Sequence, residues 1–406
     1  MPALRPPATA RRMIGPPAPP SSAAATLFFA HATGFCKEVW SACYGELDLL
    51  AAAPSSSSSR LPVTYDCLAL DFTGHGDSRE RVAHMSRPLM WQEFTTRDVL
   101  EVLGGEGPEG GEEGKASTTA TTAAAGGEQQ RRPVVGVGHS MGGAALVLAE
   151  LANPGLFDRL ILLEPILPPP DRREAAESSV ESAESPLATR ARRRRGEWGS
   201  VAEARAYFES KPLFQQFDRR ALDGYINGGL AEGDEEEEED KEEEEAGGKA
   251  GKAEKEKNKR CVLKCTPTVE AETYDGVGAS VWDALHRIDC PVTLVVGGQS
   301  QHLDGWAHNV DGGCGGGRGG GGEAGTEEAE TGTVGVYRAM AGRFRRGDPS
   351  GEAGAEVVVM EGYGHFASLE KGGAASFARI VDDAARRSIE DAAERGGRGT
   401  RGHARL

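Results

Sequence analysis

Residues Val134 to Gly143 read VVGVGHSMGG. A β-branched run gives way to glycines around one serine, and small residues follow. Gly138-His139-Ser140-Met141-Gly142 fits G-x-S-x-G, with a strand (PVVGVGHS, 133–140) before it and a helix (MGGAALVLAELAN, 141–153) after it. The glycines permit a tight turn that projects the serine above the end of the strand. Ser140 then stands at a helix N-terminus, where unpaired N–H groups favour negative charge. A glycine-rich turn with a helix-capping serine is the simpler reading of the pattern alone. The strand–turn–helix context and the additional Gly143 favour a nucleophile.

Working outward, short apolar segments alternate with helical patterns. TLFFAHATGF (26–35) and VTYDCLALDFTGHGDS (63–78) read as buried strands running into glycine turns. PLMWQEFTTRDVLEVLGG (88–105) has helical spacing and a terminal glycine. RLILLEP (159–165), PVTLVVGG (291–298) and AEVVVMEG (355–362) read as further strands. GVYRAMAGRFR (335–345) and SFARIVDDAARRSIEDAAE (376–394) read as helices. This alternation predicts an α/β fold: a mostly parallel central sheet with helices on both faces.

The segment 166–290 departs from the alternation. SVAEARAYFESK and RRALDGYINGGL read as helices, so an inserted helical cap is expected there. Inside it lies EGDEEEEEDKEEEE (232–245), with twelve acids and one lysine. Like-charge blocks repel and stay solvated, so 232–260 is expected to be a disordered insert. The net charge of −17 mostly describes this tract and says little about a partner. The expected organisation is a disordered leader or possible transit peptide over 1–25, core over 26–165, cap over 166–290, core over 291–394 and a disordered tail over 395–406. Low-complexity stretches after Gly105 and over 311–333 are expected loops. The packed part is then roughly 250–280 residues, enough for a large core.

The leader carries Arg5, Arg11 and Arg12 and no acid before Glu38. That composition fits an organelle transit peptide, although five prolines by Pro17 weaken an amphipathic helix. It lacks the apolar core of a secretory signal. An intracellular protein, cytoplasmic or organellar, is expected. No apolar run approaches membrane-spanning length. The seven cysteines are irregularly spaced, and Cys261 and Cys265 lack a second pair or a nearby histidine. Reduced thiols are expected, with neither a zinc site nor a disulfide framework. The basic run TRARRRRG (189–196) reads as a solvated helix face, and its lack of interleaved aromatics argues against nucleic acid.

A serine hydroxyl needs a histidine base, and the base needs a carboxylate to orient it. VVVMEGYGHFASLE places His365 in a glycine loop after the last strand, late in the chain where the base is expected. His31 and His139 flank the expected site and read as architectural. His75, His84, His286, His302, His308 and His403 have no such context. Two backbone donors should hold a developing oxyanion. Met141 N–H is one; Thr33 N–H in HATGF is the other, with Gly34 or Phe35 as alternatives. The acid is ambiguous. Glu164 ends LILLE, where a carboxylate leaving an apolar run needs a partner to offset its desolvation. Asp304 in VVGGQSQHLDGW is the alternative.

These segments together resemble the α/β-hydrolase superfamily. HATGF stands where many members have a His-Gly loop, LDFTGHGDS resembles their D-x-x-G-x-G-x-S turn, GHSMGG the nucleophile elbow, and GYGHF the histidine loop. The resemblance runs from about Thr26 to Arg387, less the inserts. It implies an Asp in the loop after the penultimate strand, and here Ser300 stands in that position. Some members, haloalkane dehalogenases among them, carry the acid after the strand that ends in Glu164. The resemblance implies a serine hydrolase acting on an ester or related acyl bond of a small molecule, without metal or organic cofactor. A lyase or carbon–carbon hydrolase on the same triad, or a non-catalytic binder using the pocket, are the alternatives. Epoxide hydrolases and dehalogenases of this fold need an aspartate nucleophile, which Ser140 disfavours. Trp198, Tyr207, Phe208, Phe214, Phe217 and Tyr225 are expected to pack between cap and sheet more than to line a pocket. Oligomeric state is not legible.

Overall fold

The computed structural model describes residues 6–17, 19–52, 61–85, 90–104, 131–168, 185–232, 260–275, 280–303, 332–344 and 354–401. The elements in chain order are β1 (Thr9–Ile14), β2 (Ala25–Ala30), α1 (Ser41–Ala52), β3 (Tyr65–Leu70) and α2 (Trp91–Leu103). Next come β4 (Val134–His139), α3 (Met141–Ala152) and β5 (Arg159–Leu163). The insertion follows: α4 (Pro186–Arg192), β6 (Glu197–Trp198), α5 (Val201–Glu209), α6 (Pro212–Gln216), α7 (Arg219–Gly229), β7 (Leu230–Glu232), β8 (Cys261–Leu263) and α8 (Pro267–Asp275). The chain then returns through β9 (Val292–Gly297), α9 (Thr333–Ala341), β10 (Glu356–Met360) and α10 (Gly373–Arg401).

The large sheet has the order β1-β3-β2-β4-β5-β9-β10. All its pairings are parallel except β1 with β3. Strands β3, β4, β5 and β9 are buried at every residue, as parallel strands covered on both faces must be. Alternation along each strand divides the apolar residues between two layers. Leu27, Phe29, Val137 and Ile161 pack with Trp40, Phe377 and Val381 on the α1 and α10 side. Phe28, Leu160, Leu162 and Leu294 pack with Phe94, Leu146, Tyr337 and Met340 on the α2, α3 and α9 side. Each such side chain contributes about 1.5–3 kcal/mol when fully buried.

The register decides where the chemistry can sit. Ala30 is level with Gly138, Leu163 with His139 and with Val295, and Gly297 with Met360. The C-terminal ends of β2, β4, β5, β9 and β10 therefore share one edge, where open α/β sheets bind ligands.

Three expectations are corrected. Thr9–Ile14, placed by sequence in an unstructured leader, pairs antiparallel with β3 along Thr9↔Leu70 to Ile14↔Tyr65. Arg11 donates to the buried Asp66 at 2.7 Å through Nε, so the arginine that suggested a transit peptide anchors an edge strand. At the other end the backbone of α10 continues to Arg401, past the expected stop at 394. The insertion also differs in kind from an all-helical one: β6, β8 and β7 form a three-stranded antiparallel sheet. The acidic tract 233–259, residues 105–130 and residues 304–331, Asp304 among them, lie outside the described residues. The tract leaves from a hairpin in which Glu232 pairs with Cys261.

The insertion shares its apolar layer with α1 and α10, through Phe208, Phe217, Tyr225 and Leu263. It is also strapped to the segment after β10. Asp218 N–H donates to Leu369 O at 2.7 Å and Lys371 N–H to Gln216 O at 2.9 Å. The basic run is not simply solvated: Arg192 pairs with Asp275 at 2.7 Å, Arg195 with Glu203 at 2.5 Å, and Arg194 with Glu270 and the Tyr225 hydroxyl.

Candidate active site

Ser140 follows β4 with φ 54 and ψ −117, a strained backbone for a residue with a Cβ, and such strain costs of order 1–3 kcal/mol. The glycines around it make the turn possible by close approach. A Cβ at Gly138 would meet Gly143 Cα at 2.6 Å, and one at Gly142 would meet Ala30 O at 2.3 Å. The start of α3 therefore lies directly on the end of β2, which sets the 31–37 loop beside the elbow. Ser140 is 6% exposed.

Glu164, the residue after β5, is the other non-glycine with positive φ among the described residues, at 44. It is fully buried, and its N–H still donates to Val295 O at 3.0 Å. Its Oε1 accepts from Gly297 N–H at 2.8 Å, and its Oε2 accepts from the Ser300 hydroxyl at 2.8 Å. The same Oε2 meets His365 Nδ1 at 2.6 Å. Burial pushes the Glu164 pKa up, while the Gly297 and Ser300 donors favour the carboxylate. With a carboxylate there, Nδ1 carries the proton and Nε2 is left as the acceptor.

His365 is set by its own loop. Tyr363 N–H donates to Met360 O at 3.3 Å, Gln299 N–H to Tyr363 O at 2.9 Å, and Gly364 N–H to Glu370 Oε1 at 3.2 Å. A Cβ at Gly297 would stand 2.2 Å from Gly364 O, so the end of β9 abuts this loop. His139, one residue before Ser140, donates from Nε2 to His365 O at 2.9 Å. Burial lowers the His365 pKa, which keeps the resting imidazole neutral and able to take a proton. Elbow, carboxylate and histidine loop thus converge on one sheet edge. Among the described residues no hydrogen bond joins Ser140 Oγ to His365. Such contacts are often long in ligand-free sites and tighten around a substrate.

Met141 opens α3, and Thr33 lies in the adjoining loop, 8% exposed. Phe35 N–H is committed to Ala32 O at 3.2 Å and the Gly34 backbone bonds the Cys265 thiol, so of the three candidate loop donors Thr33 is the one with neither commitment. The loop is pinned on its far side. His31 donates from Nδ1 to Ala32 O at 2.8 Å and accepts from Phe72 N–H at 3.3 Å. Burial lowers the His31 pKa to about 4, consistent with that neutral tautomer. Asp71 accepts from Lys37 N–H at 2.7 Å, Lys37 Nζ at 2.6 Å and Asp77 N–H at 2.8 Å. This buried ion pair ties the 31–37 loop to the 71–78 turn.

Sequence reasoning missed two residues here. Ser300 registered only as a missing aspartate, yet its hydroxyl donates to the buried Glu164 carboxylate. His302 had no recognisable context, yet its ring lies on that of His365, with centroids 3.9 Å apart and planes 17° apart. The aromatic residues of the insertion pack as expected: Phe208, Phe217 and Tyr225 are buried, and Phe35, Phe217 and Phe366 contact one another at 5.6–6.2 Å. The six described cysteines are free thiols. Among the described residues no cluster of His, Cys, Asp and Glu could hold a metal ion, and no helix is long and apolar enough to cross a membrane.

Comparison with known proteins agrees with this architecture. No curated protein matches the chain. A solved structure of the peroxisomal alpha-beta-hydrolase Lpx1 from Saccharomyces cerevisiae superposes with a TM-score of 0.56 at 15% identity, covering 95% of this chain and 89% of that one. E-2-(acetamidomethylene)succinate hydrolase gives a TM-score of 0.51 at 14% identity, covering 92% and 93%. At such identities the likeness concerns the fold. The model of the alpha/beta hydrolase family matches residues 27–378, spanning the elbow, Glu164 and the histidine loop, and the chain belongs to that family.

Proposed function

We propose that this protein is a serine hydrolase that cleaves an ester or related acyl bond of a small molecule, with Ser140, His365 and Glu164 as its triad. The observation that carries the reading is the 2.6 Å contact between Glu164 Oε2 and His365 Nδ1, beside a serine held at φ 54 on the adjoining strand. Ser140 Oγ attacks the carbonyl carbon and His365 Nε2 takes its proton. Glu164 stabilises the imidazolium that forms. The N–H groups of Met141 and Thr33 hold the oxyanion, helped by the N-terminal end of α3. His365 returns the proton to the leaving group, the tetrahedral adduct collapses to the acyl-enzyme, and a water activated by the same histidine releases the acid.

The insertion serves as a cap in this scheme, because its strap onto residues 369–371 ties it to the loop that carries the base. Glu164 is preferred to Asp304 as the acid because its carboxylate already meets the imidazole.

Labelling with a fluorophosphonate tests the nucleophile. Wild-type protein should label and turn over short-chain esters, and Ser140→Ala should abolish both while the protein stays folded. Unchanged ester turnover in Ser140→Ala would end the reading. Turnover without a trapped acyl-enzyme would instead favour a carbon–carbon hydrolase or lyase using the same base.

A further inference from the structure

We infer that His302 is a positioning residue for the base, a neutral ring plate that holds the His365 imidazole in the plane where Nδ1 meets Glu164. The inference rests on the triad proposed above. Stacked aromatic rings usually sit with centroids 4.5–7 Å apart. The His302 and His365 rings are closer, 3.9 Å, and nearly parallel at 17°. His139 lies 4.9 Å from the same ring and is tilted 50° to it, and Phe366 meets it edge-on at 5.0 Å. Rotation of the imidazole about its Cβ–Cγ bond would drive it into one of these rings. Glu164 fixes one atom of the ring; His302 fixes its plane.

The loop that presents His302 is built around the same hydroxyl that supports the acid. Ser300 Oγ donates to Glu164 Oε2 at 2.8 Å and accepts from His302 N–H at 3.4 Å. Leu303 N–H then anchors the loop to Thr333 Oγ1 at 3.0 Å. Acid and plate are therefore held by one serine and cannot drift independently. Among the described residues, the titratable groups facing His365 are Glu164 from the end of β5, His139 from β4 and His302 from the loop after β9. Burial and the neighbouring His365 lower the His302 pKa to about 3, so it stays uncharged beside the base. An uncharged plate does not repel the imidazolium formed during turnover. It also covers that face against water, which favours the neutral resting base.

The test compares His302→Ala and His302→Phe with wild type in steady-state ester hydrolysis across pH. Misplacing a reacting group by about 1 Å can cost roughly 10²-fold. His302→Ala should lose kcat by about that factor with KM within about twofold, and the acidic limb of kcat/KM should rise toward the ordinary imidazole value of about 6.5. His302→Phe, which keeps a flat ring without a titrating group, should recover most of kcat. Wild-type kcat in His302→Ala would overturn the inference, as would loss of activity only in proportion to unfolded protein. Equal, large losses in both variants would also overturn it and assign His302 a proton-transfer role. Absence of any Ser140-dependent turnover in the wild type would instead count against the triad itself.

Discussion

The ends of β5 and β9 are neighbours, with Leu163 level with Val295, and in the proposed triad they have exchanged duties. In the pattern that the sequence resembles, the loop after the β9 strand supplies the acid. Here that loop supplies a hydroxyl, Ser300, and a backbone donor, Gly297, while β5 supplies the carboxylate. The two sites converge on one atom, Glu164 Oε2, which accepts from Ser300 at 2.8 Å and meets His365 at 2.6 Å. The base requires a negative charge at one place, and either strand end can deliver it. The cost falls on the strand that does so. Glu164 takes φ 44 and buries a carboxylate completely, while Ser300 needs neither strain nor charge. Two short, directed hydrogen bonds help offset that burial.

Four changes would break or sharpen this contrast. The largest effect is expected from Glu164→Gln, which keeps the shape and removes the charge. Loss of the orienting carboxylate can cost up to about 10⁴-fold in turnover, so kcat should fall by several orders of magnitude with a much smaller change in KM. Asp304→Asn, measured in the same assay, should be nearly silent; an inactive Asp304→Asn beside an active Glu164→Gln would move the acid to the β9 side. An intermediate effect is expected from Ser300→Ala. It removes one donor to a charged group while the carboxylate keeps Gly297 N–H and His365, so a loss of about tenfold in kcat is expected, equivalent to roughly 1.4 kcal/mol. A loss as large as that of Glu164→Gln would mean that the hydroxyl, and not the charge, sets the imidazole.

A small effect is likewise expected from replacing 233–260 with a two-residue Asn-Gly turn. Glu232 and Cys261 already pair across the hairpin, so the ends need no rearrangement. The tract holds little apolar surface to offset its ordering entropy. The thermal midpoint should move by no more than a few degrees and kcat by less than about twofold. A large loss of stability would show that the tract contributes to the packing of the domain.

Much of this was legible in the chain. The parallel strands announce themselves as apolar runs because both faces are buried, and the elbow because glycine is required at Gly138 and Gly142 by backbone contacts under 3 Å. His365 was legible from its glycine loop. Glu164 was readable only as a carboxylate stranded at the end of LILLE, since the donors that satisfy it, Gly297 and Ser300, lie more than a hundred residues away. His302 left no local signal, because a stacked ring is defined by its neighbour in space. Thr9–Ile14 escaped notice because an edge strand faces solvent: Thr9 to Arg12 are all exposed, so no apolar alternation marks them.

The claim that β5 and β9 can exchange the acid is tested most directly by moving it. Asparagine tolerates positive φ, so Glu164→Asn should fold while lacking the charge. Adding Ser300→Asp places a carboxylate on the β9 loop, where the serine oxygen already stands 2.8 Å from the atom that meets His365. The measurement is kcat for the single and the double variant against wild type, on any ester the wild type hydrolyses. The account predicts that Glu164→Asn loses about 10³–10⁴-fold and that the double variant regains at least about tenfold of it. Wild-type turnover in Glu164→Asn, or a double variant no faster than the single, would contradict it.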